Sequence, residues 1–95
     1  MEFSRELRAD VLSGAITVTF RLWTRPRVKA GGRYRIESGQ IEVDSIELVP
    51  FGSIDLVDVG HSGEPDLEAL RRRAAHAGSI QDDTLLYRIE FHVVQ

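Results

Sequence analysis

Thr17, Thr19 and Arg21 stand two residues apart inside the stretch SGAITVTFRLWTRPRVKAGGRYR, residues 13–35, and their types allow two kinds of chemistry. One is acyl transfer. A threonine hydroxyl can attack an amide carbonyl if an adjacent base takes its proton, and a guanidinium can hold the oxyanion that forms. Thr19 and Arg21 have the right types, and Lys29 could reach them from the loop that follows. The ordinary reading of Thr17 and Thr19 is equally available, because threonine suits the half-exposed face of a strand.

The other chemistry is the binding of single-stranded nucleic acid. Arg21, Arg25, Arg27, Lys29, Arg33 and Arg35 are half of the chain's twelve Lys and Arg residues, with no acid among them and with Trp23 inside the run. Cations hold phosphates, and an aromatic ring under a base contributes about 1–3 kcal/mol. Sequence-specific use would lift a base out of its stack and into a cleft. Six like charges so close together repel one another, so an anion must answer them. Residues 36–70 carry nine acids and no Lys or Arg. Either that acidic stretch folds over the cations, or an external anion does, or each does so in part. The formal net charge of −3 averages over this layout and is a poor guide to partners.

These groups must be positioned by short elements. Phe3, Leu7 and Val11 recur at helical spacing, with Ser4 as cap and Gly14 as stop. Ile16, Val18, Phe20 and Leu22 alternate with Thr17, Thr19, Arg21 and Trp23, the period of a strand with one apolar face. TRPRVKAGG then reads as a loop in which Arg25, Arg27 and Lys29 turn to one side. RYRIE, QIEVD and SIELVPF read as strands, with Arg33 and Arg35 opposite Tyr34 and Ile36. The apolar parity changes between Val43 and Ile46, which calls for a β-bulge near Asp44 and Ser45. SIDLVDV is open between a strand and a helical turn. Pro65 opens a second helix with Leu67, Leu70 and Ala74 on one side and Gly78 beyond it. LLYRIEFHV closes the chain as a central strand. The fold class is α+β: five or six short, mostly antiparallel strands and two short helices in one domain, residues 1–95, with a curled sheet or barrel favoured over a flat sheet.

Gly14-x-Ile16-Thr17-x-Thr19-x-Arg21, placed after a short helix and opening a strand, resembles the signature of the ASCH domain, a branch of the PUA-like superfamily. VKAGGRYRI, the Val59-Gly60 element and LYRIEF are similar to the family's second strand, the approach to its later helix and its terminal strand. The resemblance implies a small closed PUA-like β-barrel flanked by helices, with a cleft between the motif strand and the second helix. It also implies RNA binding. Some small bacterial members resemble amidohydrolases that remove the acetyl group of N4-acetylcytidine, using a lysine and a threonine of the motif and a glutamate before the second helix. Thr19 matches the threonine and Glu64 the glutamate, but the lysine position is Ile16, which can neither carry a proton nor donate a hydrogen bond. Glu64 is also explained by a helix N-terminus, where a carboxylate contributes about 0.3–1 kcal/mol. A buried Glu64 facing Arg21 is the sharper alternative.

The expected function is therefore an ASCH-type domain that accepts RNA or a nucleotide in a basic cleft, with Arg21, Trp23, Arg25, Arg27, Lys29, Thr17, Thr19 and Arg33 as contacts. The alternatives are an amidohydrolase using Thr19 and Glu64, and a protein-interaction module. Other classes are narrowed by what is missing. There is no cysteine, so disulfides, thiolate metal sites and cysteine nucleophiles are out. His61, His76 and His92 show no metal-ligand spacing, and His76 falls at a helix C-terminus, so neither metal nor cofactor is expected. Asp55 and Asp58 read as a solvated turn, and Arg71, Arg72 and Arg73 as a helix terminus before a phosphate contact. No apolar run reaches the ~20 residues that span a bilayer, and the first residues are charged, so a cytoplasmic protein is expected.

Overall fold

The computed structural model describes residues 1–75 and 78–94, so the expectation for His76 lies outside the described residues. Four strands, β1 (Val18–Arg21), β2 (Arg33–Ile36), β3 (Gly39–Pro50) and β4 (Leu85–Val94), form one antiparallel sheet in the order β1-β4-β3-β2. β4 is interior, as its long run of apolar residues predicts. In β1 the alternation holds: Val18 and Phe20 are buried, while Thr19 and Arg21 are half-buried on the opposite face.

The expected barrel of five or six strands is corrected. QIEVD and SIELVPF are one strand, bent where the register with β4 slips between Val43 and Ser45, which is the predicted bulge. SIDLVDV is not a strand. Asp55 accepts a hydrogen bond from the Asp58 N–H at 2.8 Å and so caps a helix, α2 (Leu56–His61). β2 pairs only with the first part of β3, and β1 pairs only with β4, so the sheet stays open among the described residues.

Among the described residues, three α-helices and two 3-10 turns stand where two helices were expected. A 3-10 turn (Arg5–Leu7) leads into α1 (Arg8–Ser13), which stops at Gly14 with φ 87°. A second 3-10 turn (Phe51–Ser53) follows β3, and α3 (Leu67–Ala74) begins after Asp66, whose side chain accepts from the Ala69 N–H. Among the described residues no helix is long and apolar enough to cross a membrane.

The core has two sides. α2, α3 and the Phe51–Ser53 turn cover Val18, Phe20 and Leu86, while Phe3, Val11 and Ile16 cover Ile36, Ile41 and Phe91. β1 and β2 are opposite edges of the sheet, so the connection between them must cross a face. Val28 anchors that crossing against Val43 of β3 and Ile89 of β4. Arg88 of β4 donates to both carboxylate oxygens of Asp58, at 2.7 and 3.1 Å, and fastens α2 to the sheet.

Candidate functional site

A cavity of about 190 Å³ runs beside β1, lined by five consecutive residues, Thr19 to Trp23. Successive strand residues point to opposite faces, so this run means that the cavity follows the strand's free edge. Glu2, Phe3, Ser4 and Leu7 form one wall. Ser62 and Glu64 from the α2–α3 turn, with Leu70, Arg73 and Ala74 from α3, form the other. The Thr17 N–H donates to the His61 carbonyl at 2.9 Å, which ties the end of α2 to the residue before β1.

Arg21 is the polar centre. Its Nε donates to Thr19 Oγ1 at 3.0 Å, and its guanidinium carbon lies 4.9 Å from the Phe3 ring centroid and 6.0 Å from that of Trp23. Its terminal nitrogens have no hydrogen-bond acceptor among the described residues. Burial pushes its pKa down to about 10, and the more distant Glu2 carboxylate only partly offsets this. A half-buried cation without a close anion is costly to keep, and this one faces a cavity.

Glu64 is buried, its side chain 4% exposed, and it accepts from Arg73 Nε at 2.5 Å. Arg73 also donates to Ser4 Oγ and meets Glu6, so it links one wall of the cavity to the other. The Glu64 hydrogen bond is the main reason that the Arg73 pKa is raised. Glu64 and Arg21 thus line one cavity, but the carboxylate's ion-pair partner is Arg73. Among the described residues the Thr19 hydroxyl has only a cation as side-chain partner, which cannot take its proton.

The turn that presents Ser62 and Glu64 depends on Gly63, at φ 83°. A Cβ there would lie 2.5 Å from Ile16 Cδ1. Gly63→Ala is therefore expected to destabilise the fold by about 2–3 kcal/mol, from left-handed strain plus overpacking. Chemical denaturation checks this, and adding Ile16→Val should recover only the overpacking part. Ile16 itself is 2% exposed and sits in the core rather than on the cavity.

Of the residues singled out from sequence, Thr19, Arg21, Trp23 and Glu64 come together. Arg25, Arg27 and Lys29 are exposed on the crossing connection outside the cavity, with the Arg27 guanidinium carbon 5.8 Å from the Trp23 ring centroid. Arg33 lies at the opposite edge of the sheet, paired with Glu42 at 3.0 Å, and with Arg35 borders a separate shallow depression. Glu42 of the acidic stretch thus answers Arg33, while Arg21 is left to the cavity. Sequence reasoning missed Phe3, Ser4 and Arg73 as wall residues. Phe3 carried only a core signal, and no periodicity links Arg73 to Glu64 nine positions away.

His92 Nδ1 lies 2.8 Å from Asp44 Oδ1, and Glu42 completes a group whose potential ligand atoms are within 4.8 Å of one another. Register produces this grouping, since Glu42 faces His92 across β3 and β4, so spacing along the chain could not reveal it.

No protein-family model matches the chain, and no curated protein matches it. Among solved structures it is similar to the ASCH domain of Lactobacillus crispatus JV V101, at 18% identity and TM-score 0.73, covering 93% of this chain and 70% of that one. It is also similar to a protein of Enterococcus faecalis V583 described under the family model DUF984, at 20% identity and TM-score 0.70, covering 94% of this chain and 67% of that one. The chain has an ASCH-like fold.

Proposed function

We propose that this chain is an RNA-binding domain that takes one nucleobase of a single strand into the cavity along β1 and holds flanking phosphates on Arg25, Arg27 and Lys29. The observation that carries this reading is Arg21: a half-buried guanidinium whose terminal N–H groups have no acceptor among the described residues and which lines a cavity. A base supplies what is missing. Its ring fits between Phe3, Leu22 and Trp23, a carbonyl oxygen accepts from Arg21, and an N–H can donate to Glu64. The ASCH-like fold supports the reading, because the family resemblance implies RNA. An RNA partner in turn fits a cytoplasmic setting. Binding fits better than amide hydrolysis, since the Thr19 hydroxyl lacks a base and Ile16 occupies the motif's lysine position.

The test is the affinity for a single-stranded RNA of about twelve nucleotides at two salt concentrations. Three phosphate contacts give a log–log slope of about −2, or about 20-fold weaker binding for a fourfold rise in salt. Binding that ignores salt, or no binding, overturns the proposal.

A further inference from the structure

Trp23 is the chain's single tryptophan, and its half-buried ring is shared between two environments. It lines the cavity beside Arg21, while Arg27, which does not line the cavity, also holds its guanidinium over the ring. Tyr87 meets the same ring at 6.0 Å and an interplanar angle of 43°, which fixes its orientation from the sheet. A guanidinium on an indole is an exchangeable occupant: at an exposed site the contact contributes about 0.5–1 kcal/mol, less than the 1–3 kcal/mol of a stacked base. Arg27 is exposed on the loop and free to shift from ring to phosphate.

We infer that Trp23 is the partition of a two-nucleotide site: one base enters the cavity, and the next stacks on the indole where Arg27 now lies, with Arg27 moving onto the linking phosphate. The inference rests on the nucleobase reading above and adds to it a second subsite and a minimum ligand, a dinucleotide rather than a nucleotide.

The probes are the four nucleoside 5′-monophosphates, the four matching 5′-phosphorylated homodinucleotides, and each monophosphate extended by an abasic sugar-phosphate. Binding is followed by the fluorescence of Trp23 and by calorimetry. The best dinucleotide should bind about tenfold tighter than its monophosphate and quench the indole, whereas the abasic extension should recover little of that gain. In Trp23→Leu the ratio of dinucleotide to monophosphate affinity should fall towards one, and in Trp23→Phe it should stay intermediate. Monophosphate binding with no further gain from the second base overturns the second subsite while leaving the cavity reading intact. An equal gain from the abasic extension also overturns it, because charge alone would then account for the effect. If neither the monophosphates nor the dinucleotides bind, the nucleobase reading falls and this inference falls with it. The ratio in the unaltered protein decides the matter even if the leucine variant fails to fold.

Discussion

Arg21→Met should melt at a higher temperature than the parent chain and bind RNA at least about tenfold more weakly. The two effects share one cause. Burial lowers the Arg21 pKa from the usual guanidinium range to about 10, which corresponds to about 3 kcal/mol by which the folded state disfavours the cation. For a base held below its usual value this cost is present at every pH below about 10 and is relieved only above it, so it applies in full at neutral pH. Stacking over Phe3 and Trp23 and the bond to Thr19 return about 2 kcal/mol. Methionine keeps much of the volume and the apolar contact without the charge. The net gain is about 1 kcal/mol, or about 4–8 °C for a domain of this size. Binding should collapse because the variant removes the cavity guanidinium whose terminal nitrogens have no acceptor among the described residues. Calorimetric melting and RNA titration at neutral pH check both halves. A lower melting temperature would make Arg21 a structural residue and remove the main support for the cavity as a binding site.

Local pattern made β1, the interior position of β4 and the bulge at Val43–Ser45 legible in the sequence, because each rests on period-two alternation or a break in it. Closure was not legible, since whether the second half of β3 and the free edge of β1 acquire partners is a long-range question. SIDLVDV could not be read either, until the Asp55 cap decided for helix. The basic run shows a similar limit. It is continuous from Arg21 to Arg35 in sequence, yet its ends lie on opposite edges of the sheet, because the connection crosses β4 and β3. Proximity along the chain grouped Arg33 with Arg21, and topology separates them. The motif residues Thr19 and Arg21 both line the cavity. The Arg73 bridge depends on how α3 docks against the residues around Ser4, and nothing local encodes that docking.

That bridge makes Arg73→Met the second substitution with a large expected effect. Glu64 would be left as a buried carboxylate without its closest cation. Breaking a fully buried pair costs about 3–5 kcal/mol. The Arg73 side chain is 40% exposed and borders a cavity that water can enter, so about 2 kcal/mol is expected. Chemical denaturation at neutral pH checks this, where Asp58 and Glu6, both held below the usual carboxylate range, still contribute stability that disappears as pH falls. Glu64→Gln in the same background should recover most of the loss, since a neutral amide needs no cation. No recovery from Glu64→Gln would mean that Arg73 acts through Ser4 and Glu6 rather than by holding the Glu64 carboxylate at the cavity wall.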